Sequence, residues 1–312
     1  MKSPSPIKVL TITGPTASGK TSLAVQLAYR LNGEIISADS RQVYKQMDIG
    51  TGKDLEEYGV GDHSIPYHLI DIREAGEKYN VSDFQKDFFR AVQDILFRGK
   101  LPILCGGTGM YIQSVLEDYG FTHIPKDVAF RETLERKTQE ELLQILNALP
   151  YPENFKDHHH RKRTIRAIEI GRFLRNNPQE NFKPQYPEID TLVIGVKYDR
   201  ESRRKRISHR LKQRFQQGMV EEVEELLQTV SAEDLIWYGL EYKMITQYLK
   251  GELSYNEMYK KLETGIYQFA KRQMTWFRKM EREGYDIHWL DGHLSMEEKV
   301  KKALVWVKEY GI

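Results

Sequence analysis

Short apolar segments alternate with amphipathic segments along most of the chain. Six of the apolar segments are rich in β-branched residues and have the length of buried strands: Ile7–Thr13, Glu34–Ala38, His68–Ile72, Leu101–Cys105, Thr191–Lys197 and Asp286–Leu290. Alternating strands and helices predict an α/β fold with a doubly wound parallel sheet, covered by helices on both faces. Such sheets bind ligands at the carboxyl ends of their strands.

Apolar residues that recur with a period near 3.6 predict the helices. One helix begins near Ser82, which can form a capping box with Gln85. Its apolar stripe consists of Phe84, Phe88, Val92 and Ile95. Two longer stripes follow after residue 200: Ile207, Leu211, Phe215 and Met219 in the first, and Met258, Leu262, Ile266, Phe269, Gln273 and Phe277 in the second.

The regular strand spacing is interrupted between Cys105 and Thr191. A polar, helix-forming stretch, RETLERKTQEELLQIL, occupies part of this interval and is followed by several prolines. The interval therefore predicts an inserted subdomain. We expect residues 1–119 and 186–312 to form the catalytic core and residues 120–185 to form a mainly helical insert.

The segment GPTASGKT follows the first predicted strand and opens a helix pattern, which is the context that a P-loop requires. Backbone N–H groups of such a turn surround phosphate oxygens, Lys20 adds a point charge, and Thr21 can ligate Mg²⁺. The sheet is therefore expected to be of the P-loop NTPase type. The predicted phosphate-binding residues are Gly14, Pro15, Thr16, Ala17, Ser18, Gly19, Lys20 and Thr21.

Further candidate residues stand where other predicted strands end. Asp39 follows the second strand, where a carboxylate can bind Mg²⁺, accept a proton from a nucleophile, or only cap a loop. Asp71 ends the segment HLID and is either a metal-linked carboxylate or a structural one. Thr108 lies in the turn GGTG, whose glycines let the backbone approach a ligand closely.

Charge is unevenly distributed, although the whole chain carries only +2. Residues 156–214 contain 17 Lys or Arg and 7 Asp or Glu, which gives this segment a net charge of +10. Within it, Arg206, Arg210 and Arg214 recur at i, i+4 on a predicted helix. This column of guanidiniums suits a diphosphate or a nucleic-acid backbone, unless it is only a solvated face.

A second basic segment, KRQMTWFRK at residues 271–279, mixes cations with aromatic residues. Surfaces that stack nucleobases and neutralise phosphates have this composition. Phe277 fits the apolar stripe of the helix, so Trp276 is the aromatic residue expected to be exposed.

Composition limits the protein class. Hydrophobic residues make up 40% and charged residues 29% of the 312 residues, as in soluble globular proteins. No apolar run approaches the roughly 18 residues of a membrane span, and the N-terminus lacks the pattern of a secretory signal. The single cysteine, Cys105, excludes an internal disulfide framework. We expect a cytoplasmic, monomeric protein with no membrane partner.

Eight segments in this order carry a resemblance to a known family: GPTASGKT, ADSRQVYKQMDIGTGK, HLIDI, GGTGMY, RKRTIRAIEI, RISHRLKQRF, YLKGELSYNEM and AKRQMTWFRK. Together they resemble the bacterial tRNA dimethylallyltransferases, the isopentenyltransferases that modify tRNA. The resemblance covers most of the chain. It implies transfer of the dimethylallyl group from dimethylallyl diphosphate to N6 of the adenosine at position 37 of tRNA, on the 3′ side of the anticodon.

The resemblance also implies roles for the matched residues. Asp39 would accept a proton from N6, while Lys20, Arg210, and Thr21 with Mg²⁺ would stabilise charge on the departing diphosphate. Thr108 would bond to the substrate nucleotide, and the adenine would flip out of its stack. The implied contacts to the tRNA anticodon stem-loop are Asp39, Ser40, Arg41, Gln42, Lys162, Arg163, Thr164, Ile165, Arg166, Gly239, Lys243, Lys271, Arg272, Gln273, Thr275, Trp276 and Arg278.

Two features depart from the family pattern. The chain has GLEYK at residues 239–243 where the family commonly has AIGYK, and the interval from Ile124 to Lys156 is shorter than in many relatives.

Two other functions fit the P-loop on its own: a kinase of a small metabolite, and a non-catalytic tRNA-binding factor with a nucleotide switch. The kinase leaves the basic segments without a partner, and a catalytic base at Asp39 would distinguish an enzyme from the binding factor.

Overall fold

The computed structural model describes residues 5–117, 122, 124–150, 160–178 and 186–312 of the chain. The strands are β1 (Ile7–Thr13), β2 (Gly33–Ser37), β3 (Gly59–Val60), β4 (His63–Ser64), β5 (Tyr67–His68), β6 (Leu101–Gly106), β7 (Ile189–Lys197) and β8 (Ile287–Asp291). The helices are α1 (Lys20–Leu31), α2 (Val81–Phe97), α3 (Gly109–Leu116), α4 (Val128–Glu135), α5 (Gln139–Asn147), α6 (Arg161–Asn176), α7 (Arg200–Gln216), α8 (Met219–Leu226), α9 (Ala232–Tyr238), α10 (Leu240–Leu249), α11 (Tyr255–Arg282) and α12 (Met296–Tyr310).

Six strands form one sheet in the order β5-β2-β6-β1-β7-β8, and every neighbouring pair is parallel. Leu10 and Ile12 of β1 belong to an apolar cluster with α1 and α12, whereas Val9 is buried on the opposite face. Strands β1, β2 and β6 end at the same edge, so the segments that follow them meet there. The predicted α/β fold with a doubly wound parallel sheet is confirmed.

The predicted strand His68–Ile72 is much shorter in the structure, where β5 covers only Tyr67–His68. Leu69 and Asp71 adopt left-handed backbone conformations, with φ angles of 62° and 55°, and these end the strand. The helix stripe from Ile207 to Met219 is likewise divided between α7 and α8, because Gly218 separates them with a φ of 99°.

The capping box of α2 also differs from the prediction. Asn80 is the N-cap and exchanges hydrogen bonds with Asp83, so the box lies two residues before the expected Ser82. Gln85 is instead buried, and its Nε2 donates to the carbonyl oxygen of Ser114 at 2.6 Å. The predicted apolar stripe of the helix, from Phe84 to Ile95, is buried as expected.

Backbone contacts divide the chain into two compact units, Met1–Glu117 with Pro187–Ile312, and Asp118–Tyr186. Within the second unit, α4, α5 and α6 surround a small apolar core that includes Leu134, Leu142 and Ile168. The buried carboxylate of Glu169 accepts two hydrogen bonds from Arg131, at 2.9 and 2.6 Å. The assignment of catalysis to the first unit stays a prediction.

None of the helices in the described part of the chain is long and apolar enough to cross a membrane.

Candidate active site

The P-loop connects the carboxyl end of β1 to the start of α1. Gly14 has a φ of 153°, and a Cβ there would lie 2.5 Å from the carbonyl oxygen of Val196. Only glycine fits this position without moving the neighbouring strand. Arg206 on α7 holds the loop, since its Nε donates to the carbonyl oxygen of Ala17 at 2.9 Å.

A cavity of about 530 Å³ opens beside the P-loop. Its walls come from the P-loop, the segments after β2 and β6, and the helices α7, α10 and α11. All the predicted catalytic residues line it: Lys20, Thr21, Asp39, Thr108 and Arg210. Of the predicted phosphate-binding residues, those from Thr16 to Thr21 line the cavity together with Asp39, whereas Gly14 and Pro15 do not.

Asp39 and Thr108 lie in segments that are tied to each other. One carboxylate oxygen of Asp39 accepts the N–H of Arg41 at 2.9 Å, which orients the side chain. The hydroxyl of Thr108 accepts the N–H of Ser40 at 3.3 Å, and the N–H of Thr108 donates to Ala38 at 3.2 Å. Asp39 is thus both a loop cap and a cavity-lining carboxylate, so the two interpretations of this residue are compatible.

Cations dominate the phosphate side of the cavity. Burial lowers the pKa of the Lys20 ammonium, and the charge of Asp39 is among those that oppose the shift. Burial and the neighbouring Arg214 lower the pKa of Arg210 to about 9. Arg210 also donates a hydrogen bond to the hydroxyl of Thr16. Closely spaced cations that disfavour each other's charge favour an anion between them.

Arg214 lies one helical turn beyond Arg210 and is only 7% exposed. Its Nη2 lies 3.8 Å from a carboxylate oxygen of Asp54, too far for a hydrogen bond. Neither its Nε nor its Nη2 has a hydrogen-bond partner within the described part of the chain. A buried guanidinium with unpaired donors adds to the attraction of this cavity for an anion.

The predicted tRNA-contacting residues of α6 differ in how far their side chains are exposed. Lys162 and Arg163 are exposed, whereas Thr164 and Ile165 are buried in the core of the second unit. Arg166 donates to the carbonyl oxygen of Ile124 at 2.6 Å. The buried positions of Thr164 and Ile165 argue against direct RNA contact by their side chains, because the helix turns them inward.

On α11, the side chains of Lys271, Arg272, Thr275 and Arg278 are exposed as expected for RNA contact. Phe277 is buried and Trp276 is the more exposed of the two aromatic residues, as expected, but Trp276 is only partly exposed. Its indole is partly buried against Gly109, and its Nε1 is enclosed without a partner among the described residues. Gln273 is buried too, with 7% exposure, and bonds to two backbone groups of the protein.

The remaining predicted contacts lie after β2 and near α10. Ser40, Arg41 and Gln42 line the cavity, and the amide of Gln42 bonds to Gly52 and Ser37. Gly239 also lines the cavity, while Lys243 is exposed one helical turn later.

Asp71 is a structural carboxylate rather than one placed to bind a metal in the cavity. Its carboxylate pairs with the buried ammonium of Lys53, which also contacts Asp48 at 2.5 Å. Asp71 does not line the cavity formed by the described residues. The carboxylates that share the cavity with Thr21 are those of Asp39, Asp54, Glu57 and Glu241.

Sequence patterns missed one residue that shapes the cavity. The carboxylate of Glu222 on α8 accepts the backbone N–H groups of Asp48, Ile49 and Gly50 at 2.6 to 3.0 Å. It also accepts the hydroxyl of Tyr242 at 2.8 Å. Glu222 therefore holds in place the loop whose residues from Gly50 to Asp54 form part of the cavity wall. No local motif marks such a carboxylate, because its partners are backbone groups distant in sequence.

Glu241, the residue that departs from the family pattern, also lines the cavity. Burial raises the pKa of its carboxyl, while Arg214 and Arg210 act in the opposite direction. Trp237 is 46% exposed, and the Arg41 guanidinium lies 5.3 Å from its ring centre. An exposed aromatic ring beside a cation is a surface on which nucleobases stack. No motif in the sequence marks Trp237 as part of such a surface.

Comparisons with known proteins agree with this arrangement. Residues 42–280 match the model of the family described as IPP transferase, and residues 7–61 match that of isopentenyl transferase. The tRNA dimethylallyltransferase 2 of Phocaeicola vulgatus is 54% identical over 95% of this chain and 96% of its own. The tRNA dimethylallyltransferase 1 of Parabacteroides distasonis is 55% identical over 95% and 96%.

One solved structure is similar over nearly its full length. The full-length tRNA isopentenylpyrophosphate transferase of Bacillus halodurans has a TM-score of 0.70 and 31% sequence identity to this chain. The match covers 97% of this chain and 96% of that one.

Proposed function

Because the chain belongs to the IPP transferase family, we propose that it transfers the dimethylallyl group of dimethylallyl diphosphate to N6 of adenosine 37 in tRNA. The product is N6-isopentenyladenosine. One observation carries the proposal: the carboxylate of Asp39 shares a cavity with a P-loop and with Arg210. This combination suits a reaction in which a diphosphate leaves and a weak nucleophile loses a proton. The names of the similar proteins support it over a kinase or a binding factor.

The proposed reaction forms one bond and breaks another at the same carbon. The N6 nitrogen bonds to C1 of the dimethylallyl group, and the electron pair of the C1–O bond passes to the diphosphate oxygen. Asp39 accepts the proton that N6 loses. Lys20, Arg210 and the N–H groups of the P-loop stabilise the charge that develops on the diphosphate. The adenine leaves its stack to reach the cavity.

Mg²⁺ is part of the proposal. The hydroxyl of Thr21 would hold it together with diphosphate oxygens, and carboxylates of the same cavity supply further hard oxygen donors. The donor set fits an ion that binds few protein ligands and relies on substrate phosphates. When bound, the ion supplies positive charge against the leaving group. Among the described residues there is no cluster of three or more His, Cys, Asp or Glu side chains that would form a separate metal site.

The proposed partner is the anticodon stem-loop of tRNA, and the proposed setting is the cytoplasm. The exposed cations of α11 and the exposed Lys162 and Arg163 of α6 are the surfaces that support RNA binding. We propose that the protein acts as a monomer, which sedimentation of the protein with and without tRNA would test.

The transfer reaction is tested by incubating the protein with unmodified tRNA and labelled dimethylallyl diphosphate, without ATP. The expected result is label in the tRNA, recovered as N6-isopentenyladenosine after nuclease digestion. Absence of label from the tRNA, together with transfer of the γ-phosphate of ATP to a small metabolite, would support a kinase instead.

A further inference from the structure

Gln273 is a polar residue at an apolar position of α11. The buried stripe of this helix is otherwise made of apolar side chains: Met258, Leu262, Ile266, Ala270, Phe277 and Met280. An amide at such a position is destabilising unless its polar atoms are hydrogen-bonded. Both are bonded here, since Oε1 accepts the N–H of Thr16 at 2.8 Å and Nε2 donates to the carbonyl oxygen of Gly107 at 3.0 Å.

The two backbone groups that Gln273 joins belong to different loops of the cavity. Thr16 lies in the P-loop, and Gly107 lies in the GGTG turn that carries Thr108. Thr16 is held from a second side, because its hydroxyl accepts a hydrogen bond from Arg210. A single side chain therefore connects the leaving-group side of the cavity with the side that faces the nucleotide.

Two of the three glycines of the GGTG turn, Gly107 and Gly109, are explained by the same helix. A Cβ on Gly107 would overlap Nε2 of Gln273, and a Cβ on Gly109 would overlap the indole of Trp276. Gln273 and Trp276 are three residues apart and lie on one face of α11. The turn thus packs against α11 at Gly107 and Gly109, and Thr108 is held between them.

We propose that Gln273 is a positioning residue that holds the P-loop and the Thr108 turn at a fixed separation. The proposal rests on the proposed function, because that function places the diphosphate at one loop and the adenosine at the other. It assigns Gln273 a contact inside the protein, whereas the exposed neighbours Arg272 and Thr275 remain available to RNA. The helix that is expected to bind tRNA would then also set the geometry of the reacting groups.

The first test replaces Gln273 with methionine, which has similar length but forms neither hydrogen bond. Inorganic pyrophosphate and an anticodon stem-loop RNA are titrated separately into the wild type and Gln273→Met, and kcat is measured with tRNA. We expect pyrophosphate affinity to fall by about tenfold or more, because the N–H of Thr16 loses its buried partner and the P-loop is no longer held. We expect kcat to fall as well, while the Kd for the stem-loop stays within about twofold, since no exposed RNA-facing group changes.

Unchanged pyrophosphate affinity would overturn the proposal, as would a loss confined to stem-loop binding, which would make Gln273 an RNA contact. Stem-loop binding by the variant also shows that it is folded. The two titrations need no turnover. Failure of the wild type to modify tRNA would therefore count against the proposed function, while the titrations would still decide the role of Gln273.

A double-mutant cycle provides a second test if Gln273→Met does not fold. Gly107→Ala places a methyl group against Nε2 of Gln273 and should displace the bridge, lowering pyrophosphate affinity. In a Gln273→Ala background the overlap with Nε2 is removed and only a contact of 3.2 Å with the carbonyl oxygen of Gly14 remains, so Gly107→Ala should add a smaller further loss. Equal losses from Gly107→Ala in both backgrounds would show that the glycine and the glutamine act independently and would contradict the proposal.

Discussion

Two basic surfaces of this protein are built from the same residue types and differ in burial. The first is the cavity wall of α7, where Arg210 is partly buried and Arg214 is 7% exposed, while Arg206 lines the same cavity but is exposed. The second is the outer face of α11, where Lys271 and Arg278 are exposed and do not line the described cavity, whereas the exposed Arg272 lines the cavity as well.

The difference in burial assigns the two surfaces to different anions. Partly desolvated guanidiniums beside a P-loop suit a compact anion, because charge interactions are stronger away from water. Exposed cations suit the extended backbone of RNA, whose binding is screened by salt. Helical spacing alone does not distinguish a diphosphate-binding surface from an RNA-binding surface. Each set of cations lies on its own helix, α7 or α11, beside an apolar stripe.

The largest effect on the transfer rate is expected from a change to Asp39, whose carboxylate lines the cavity. Asp39→Asn retains an oxygen that can accept the N–H of Arg41 but removes the base. The transfer rate should fall by about 10²- to 10⁴-fold, the range for general acid–base catalysis, with stem-loop affinity unchanged. Single-turnover transfer and RNA titration would measure the two quantities. Full activity in Asp39→Asn would remove this residue from the proposed mechanism.

A slightly smaller loss of activity is expected when an arginine of the cavity wall on α7 is replaced. Arg210→Ala should lower kcat by about 10²- to 10³-fold, as for other groups that stabilise developing negative charge. Steady-state kinetics with saturating tRNA would measure it. Lys205→Ala is the matched control on the same helix, because Lys205 is 76% exposed and pairs only with the exposed Glu201 among the described residues. Equal effects of the two variants would argue against a special role for the cavity wall.

Replacing a cation on the outer face of α11 should have a moderate effect, on the KM for tRNA rather than on kcat. Lys271→Ala should raise the KM for tRNA by about tenfold, the loss of one charge-assisted hydrogen bond, and leave kcat unchanged. Lys260→Ala, an exposed residue earlier on α11, is the control. A change in kcat rather than KM in Lys271→Ala would argue against an RNA-binding role for the outer face of α11.

Glu241→Gln should have the smallest effect. Burial raises the pKa of this carboxyl above 4.5, so the folded protein holds a proton that the unfolded chain releases as pH rises. Glu241 therefore costs stability above about pH 4.5. Glu241→Gln should melt a few degrees higher than the wild type at pH 8, and the difference should disappear toward pH 4.5. A lower melting temperature at pH 8 would show that the charge of Glu241 is needed beside Arg214.

The sequence predicted the fold and the centre of the cavity because these depend on local patterns. Apolar runs located the sheet, and the P-loop, Asp39 and GGTG follow strands whose ends must meet. The positions that escaped prediction depend on contacts between distant segments. Glu222 binds backbone groups more than 170 residues away. Trp276 and Gln273 occupy space left by glycines of another loop, which periodicity along α11 does not reveal.

The salt dependence of anticodon stem-loop binding tests the distinction between the two basic surfaces most directly. The Kd is measured across a range of salt concentrations for the wild type, Arg210→Ala and Lys271→Ala. We predict that Lys271→Ala reduces the slope of log Kd against log salt by about 0.7 to 1, the value for one lost phosphate contact. Arg210→Ala should leave the slope unchanged. A reduced slope in Arg210→Ala, or an unaltered one in Lys271→Ala, would contradict the assignment of diphosphate to the cavity wall and RNA to the outer face of α11.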